Sequence, residues 1–240
     1  MSSLGRAKFK LQGSLNRSSG SDELSTNPLS GKAAQIFDEM ETRLMSGYYK
    51  FGDPVSIVEL AAEFESSRQP VTVAINHLRS LGYLIILPQV GCRVTSPSTQ
   101  EITDLFYMLS KVESAIAGMA AERHTEPETE LLAEIADHIE AIDHKSPDHN
   151  LEYAQSVDAF HEAIRVMAHS KIVASKEVTL WRLANFMMWQ GVTELKPSQI
   201  KEANKERRKI LNAIRRGNRT LVESQMEKHI LAKPRRVGLA

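Results

Sequence analysis

Between residues 56 and 97 the chain places two short capped helical runs, a tight turn and two brief apolar runs around a glycine, and no other stretch narrows the fold as far. Ser56, followed three residues later by Glu59, forms a capping box that opens a helix through Phe64, with Leu60, Ala61 and Phe64 facing inward. Ser67 suits an N-cap, and Pro70 fits a first turn, where its missing N–H has no intrahelical partner to lose. Val71, Ile75 and Leu78 then form an apolar stripe that Gly82 ends. The runs LIILP and CRVT flank QVG, a turn containing Gly91. Upstream, Ala33, Ile36, Phe37, Met40, Leu44 and Met45 recur at spacings of three and four, which predicts an amphipathic helix over 31–46 stopping at Gly47, with FGDP as an extended turn. Two helices joined by a tight turn, the second carrying polar side chains at its N-terminal end, make a helix-turn-helix, whose second helix enters the DNA major groove. The hairpin that follows completes a winged helix over residues 31–97.

After residue 98 no run alternates like a strand. Ser98 and Glu101 form a second capping box, and EITDLFYMLSKVESAIAGMAAER reads as a long helix burying Ile102, Leu105, Leu109, Val112 and Ile116. Thr125 and Glu128 open the next helix, to about His144. Further helices read from Asn150 to Ala168, Lys171 to Gly191, Pro197 to Arg216 and Arg219 to Ala232. The fold class is mainly α: an N-terminal winged helix-turn-helix domain followed by an all-α antiparallel helical bundle. The division is a flexible arm over 1–28, rich in Ser, Gly and Asn, a DNA-binding domain over 29–97, a helical domain over 98–232 and a tail over 233–240.

Charge and cysteine content exclude several classes. The formal net charge is +0, and charged residues interrupt every apolar run well short of the roughly 18–20 residues that cross a bilayer. With no signal-peptide pattern at the N-terminus, a cytoplasmic protein is expected. The single cysteine, Cys92, excludes an intrachain disulfide and a cysteine-based metal site; it reads as a small filler residue, with a nucleophilic thiol as the alternative. The neutral total is unevenly spread: residues 98–195 hold 7 Lys and Arg against 17 Asp and Glu, and residues 196–240 hold 13 against 4. Oppositely charged helices packed together would give this pattern, and so would a basic tail that binds nucleic acid.

The N-terminal domain resembles the GntR family of bacterial transcription regulators. The residues that carry the likeness are Gly47, Gly52-Asp53-Pro54, Leu60-Ala61, Ser67-Arg68-Gln69-Pro70-Val71, Ala74-Ile75, Leu78, Gly82-Tyr83-Leu84 and Pro88-Gln89-Val90-Gly91-Cys92-Arg93-Val94. The resemblance implies DNA contacts from Ser67, Arg68, Gln69, Thr72, Asn76 and Arg79 on the second helix, and from Gln89 and Arg93 on the wing. Arg68 could pair with a guanine edge or clamp a phosphate; the alternative is a solvated surface arginine. Where the family usually has Arg-Glu after Pro-Val, this chain has Thr72-Val73, which implies an unusual operator preference. Arg6, Lys8, Lys10 and Arg17 in the arm could add the attraction to phosphates that the near-neutral domain lacks.

Over residues 29–232 the chain resembles the FadR branch of that family, whose C-terminal FCD domain binds a small effector, often a carboxylic acid, and dimerises. The marks are AAER at 120–123, Phe160-His161, the run from Glu206 to Ile214 before Gly217-Asn218, and Met226-Glu227-Lys228-His229. Many FCD domains hold a divalent metal with an Asp and three His. Here Val157 stands at the Asp position with Asp158 beside it, Arg207 stands at the second His, and His161 and His229 match the others. The resemblance therefore implies an effector site of Asp158, His161, Arg207 and His229, with Asp158, His161 and His229 as a possible divalent-metal set. No other cofactor is implied. Arg207 cannot be a ligand, so it either binds an organic acid directly or pairs with a buried carboxylate such as Asp158. Leu109 and the run Phe186-Met187-Met188-Trp189 point to a partly apolar cavity, or simply to core.

The expected function is a ligand-responsive transcriptional regulator, a repressor and a homodimer, binding an inverted-repeat operator in double-stranded DNA, with a small organic-acid effector and no membrane partner. Two alternatives stand beside it. One is a degenerate member acting through protein contacts; the other is an enzyme using His161, Asp158 and His229 as acid-base groups, for which no nucleophile motif, phosphate loop or HExxH is present.

Overall fold

The computed structural model describes residues 29–87, 91–143, 149–191 and 196–239. The arm and Gln89 lie outside the described residues. The first half runs α1 (Gly31–Met45), β1 (Pro54–Val55), α2 (Ile57–Glu63), α3 (Arg68–Ser80), β2 (Leu84–Leu87) and β3 (Gly91–Val94). The second half runs α4 (Thr99–Arg123), α5 (Glu126–Ala141), α6 (His149–Met167), α7 (Lys171–Gly191), α8 (Pro197–Arg215) and α9 (Arg219–Arg236). Among the described residues no helix is long and apolar enough to cross a membrane.

The expected caps of α2 and α4 form: Ser56 Oγ accepts from the Glu59 N–H at 3.2 Å, and Ser98 and Glu101 make a reciprocal box. The apolar stripe of α3 buries Val71, Ala74, Ile75 and Leu78 against Ile36, Phe37, Met40 and Leu44 of α1. In one place the sheet departs from expectation. Pro54 and Val55, read as part of a turn and its exit, pair antiparallel with Arg93 and Cys92, which makes β3 the centre of a three-stranded sheet ordered β1-β3-β2. Two residues are too few for an alternation signal, and proline is tolerated because it opens an edge strand. Cys92 is buried in this core, and burial raises its thiol above the ordinary range.

The bundle buries Ile102, Phe106, Leu109, Ile116, Leu132, Ile135, Phe160, Ile164, Ile210, Ile214, Met226 and Ile230 in one cluster. Phe106 takes the fully buried place expected of Leu105, which packs only partly buried. The charge asymmetry is resolved by packing. Arg208 on α8 pairs with Asp137 and Glu140 on α5, and Arg219 on α9 pairs with Glu122 on α4.

The two halves share one wall. Phe186 and Met187 belong to α7 but are buried in the winged-helix core, with Phe186 fully buried and its ring 5.1 Å from that of Tyr83 and 5.8 Å from that of Phe51. One turn on, Gln190 Nε2 donates to the carbonyls of Leu44 and Tyr49 at 2.9 and 2.8 Å. Gly82, at φ +85°, lies so near Leu183 that an added Cβ would meet it at 3.3 Å. A side chain there would be strained by its backbone and pressed against α7.

Candidate functional site

Two surfaces collect the residues singled out in the sequence. The first is the outer face of α3. Ser67, Arg68, Gln69, Thr72, Val73, Asn76 and Arg79 are exposed there, because the buried stripe of Val71, Ala74, Ile75 and Leu78 turns the remaining positions outward. Ser67 occupies the N-cap position with extended backbone, yet its hydroxyl makes no capping bond. Thr72 Oγ1 donates to the Arg68 carbonyl at 2.8 Å. That bond ties the hydroxyl proton to the helix backbone. Arg93 is half-buried and donates to the Gly52 carbonyl at 2.9 Å, so one of its N–H groups braces the sheet against the turn before β1.

The second surface is a pocket, partly open to solvent, between α6, α7, α8 and the end of α9. Its apolar wall comes from Val157, Met188, Trp189, Ile200 and Ala203. Its polar side brings together Asp158, Arg207, His229 and Lys233. Arg207 is 3% exposed and donates to Asn204 Oδ1 at 2.6 Å and to the Tyr153 hydroxyl at 3.0 Å, both neutral acceptors. Its Nε is buried with no partner. The pairing with Asp158 that the sequence left open is not made. The Asp158 carboxylate instead accepts from Trp181 Nε1 at 3.0 Å and Asn185 Nδ2 at 2.6 Å, both on α7. Burial raises its carboxyl above the ordinary range, while the Trp181 bond, Lys233 and the Asn185 bond pull against that.

His229 is fully buried. Its Nδ1 bonds Glu206 at 2.6 Å, its Nε2 is buried without a partner, and the residue lines the pocket. His161 is not at the pocket wall, which corrects its assignment as an effector contact. It lies behind Lys233, with Nδ1 2.8 Å from Glu113 and Nε2 3.3 Å from the Lys233 amine, its ring 5.7 Å from that of His229. Since the carboxylate side calls for a donor, Nδ1 carries the proton and Nε2 accepts from the lysine. Burial, reinforced by Lys233 and Arg207, pushes both imidazoles well below their ordinary pKa.

These residues do not fit a metal. Lys233 Nζ stands at the nitrogen through which His161 would have to reach an ion, and Asp158 is turned into the Trp181 and Asn185 donors. Among the described residues no group of three or more His, Cys, Asp or Glu is placed to hold one. Asp158, His161 and His229, the proposed metal set, are thus near one another without forming a ligand shell.

Sequence reasoning missed Lys233 and Glu113. The last helix was expected to stop at Ala232 because Pro234 follows, but α9 runs through Pro234 to Arg236. That places Lys233 one turn after His229 on the same buried face, and the i, i+4 spacing was a usable signal. Lys233 is held over the Trp181 ring at 3.9 Å, and burial lowers its pKa to about 7. Glu113, 2% exposed, was hidden inside an apolar helix face.

The chain matches two family descriptions: "Bacterial regulatory proteins, gntR family" over residues 32–94 and "FCD domain" over residues 104–232. It is 26% identical over 206 residues to a protein of Paenarthrobacter nicotinovorans named "Probable D-xylose utilization operon transcriptional repressor", covering 83% of this chain and 86% of that one. It is 23% identical over 209 residues to the Escherichia coli HTH-type transcriptional repressor RspR, covering 87% and 90%. Among solved structures, E. coli McbR/YncC shares the fold with a TM-score of 0.68 at 16% identity, over 84% of this chain and 94% of that one. A Rhodococcus sp. RHA1 protein titled "putative transcriptional regulator GntR" shares it at 0.66 and 16%, over 87% and 99%.

Proposed function

Because this chain belongs to the bacterial gntR family and carries an FCD domain, it is a DNA-binding transcriptional regulator and not an enzyme, and we propose that its effector is a small organic acid bound without a metal. The observation that carries this reading is Arg207: a guanidinium 3% exposed, bonded only to neutral groups, with its Nε and the nearby His229 Nε2 unpartnered. A buried cation with no hydrogen-bonded anion is costly unless an anion completes it. A carboxylate at Arg207 and Lys233, its carbon body against Met188, Trp189 and Ile200, satisfies both sides of the pocket.

The coupling runs through α7. Trp181 and Asn185 hold Asp158 at the pocket wall, and Met188 and Trp189 line the pocket. Phe186, Met187 and Gln190 are seated in the winged helix. An effector that binds one position of α7 better than another shifts the population of winged-helix placements, and with it the spacing of the two reading heads in a homodimer on an inverted repeat.

Thermal unfolding against a panel of organic acids and divalent metals, with and without chelator, tests this. An acid at about 100 times its Kd should add roughly 2.7 kcal/mol, in chelator as well, and the gain should vanish in Arg207→Met. Stability lost on chelation and restored by a metal would overturn the metal-free reading. Arg68→Ala should lower operator affinity about 10- to 100-fold in an anisotropy titration while leaving that thermal shift intact, since Arg68 is exposed on α3 and far from the pocket residues in the chain.

A further inference from the structure

The exposed face of α3 has an unusual chemical makeup for a reading helix. Between Arg68 at its start and Arg79 in its last turn, the outward side chains are Gln69, Thr72, Val73 and Asn76, without a cation. Val73 is 40% exposed, an apolar side chain on a face that is otherwise polar. Thr72 has its hydroxyl proton bonded to the Arg68 carbonyl, which leaves its methyl and an accepting oxygen, but no donor, to meet a partner.

Each of these groups has a defined complement in the major groove. Amides of Gln and Asn pair in bidentate fashion with adenine, apolar groups contact the thymine methyl, and guanine is read by Arg or Lys. From Gln69 to Asn76 the helix rises about 10 Å, which spans roughly three base steps. We propose that the middle of each operator half-site is a short A·T run, read by Gln69 and Asn76 at adenines and by Val73 and the Thr72 methyl at thymine methyls, with guanine confined to the positions that Arg68 or Arg79 reaches. This rests on the reading of α3 as the element that enters the groove.

Selection of bound duplexes from a random pool by the full chain tests it, followed by anisotropy titrations in which single thymines of the selected site are replaced by deoxyuridine, a change that removes only the methyl. The expected result is an enriched A·T core, with roughly fourfold weaker binding for each contacted methyl removed. In Val73→Ala, and separately in Thr72→Ser, which keeps the hydroxyl bond, one deoxyuridine position should cease to matter. Both side chains are exposed, so neither variant threatens the fold. A core rich in G·C pairs, or an A·T core indifferent to deoxyuridine, would overturn the inference while leaving the regulator reading intact. A pool with no enrichment would instead overturn the assignment of α3 as the reading helix.

Discussion

Phe186→Ala should destabilise the winged-helix half by about 3–5 kcal/mol, the range for removing a fully buried aromatic from a packed core. The residue sits on α7, well outside the segment that builds that half, yet its ring is wedged between Phe51 and Tyr83. Tyr83 in turn donates to Glu41 at 3.1 Å, and Arg182 of α7 lies 3.5 Å from the same carboxylate. Hydrogen exchange would read the effect as lost protection in α1 and α3 with little change in α5 and α8. The same variant should weaken the effect of an organic acid on DNA binding, because the contact through which α7 moves the winged helix is gone. Uniform loss of protection across both halves would show instead that they unfold as one body.

Lys233→Met should make the protein more stable near pH 6.5, because it removes a buried ammonium whose burial outweighs the pull of Glu113 and Asp158. Burial, the largest cause, brings the lysine from its ordinary 10.5 to about 7, with Arg207 and Arg236 pushing the same way and Glu113 and Asp158 opposing. His161 accepts from its amine. Between pH 7 and 10.5 the unfolded chain therefore holds a proton that the native chain has released, so native stability rises with pH across that window by on the order of 5 kcal/mol. Below about pH 7 both states are protonated and the penalty is fully present. Melting temperatures of the wild type should climb from pH 6.5 to pH 9, and those of Lys233→Met should climb less. Acid binding should follow the opposite course, weakening as pH rises through 7 and Lys233 loses its charge. A ligand affinity flat across that range would remove Lys233 from the anion site.

The sequence carried the architecture well where burial is local and periodic. The stripes of α1, α3 and α4, the caps at Ser56 and Ser98, and the turn glycines Gly47 and Gly82 each follow from spacing within one element. It carried the pocket less well, because a pocket is made of residues far apart in the chain. Arg207 and His229 were found through the family pattern, whereas the partners that set their chemistry, Tyr153, Asn204 and Glu206, come from packing. Asp158 was named through the family's metal pattern, and the two α7 donors that hold its carboxylate come from packing. Lys233 was concealed by Pro234, a residue that usually stops a helix, and β1 by being two residues long. What spacing cannot show is which element lends residues to a neighbouring core, and Phe186 and Met187 do that here.

That loan bears on how such proteins can be recombined. A reading head cut out after residue 97 would expose Phe51 and Tyr83 where the Phe186 ring now lies, and leave the carbonyls of Leu44 and Tyr49 without the Gln190 amide. Grafting a foreign head onto this bundle would bury Phe186 and Met187 against a surface never shaped for them. Exchange of sensors and readers between relatives is therefore expected to succeed only when the positions at 182, 183, 186, 187 and 190 travel with the head. The head and the sensor of this chain are therefore a fitted pair rather than interchangeable modules.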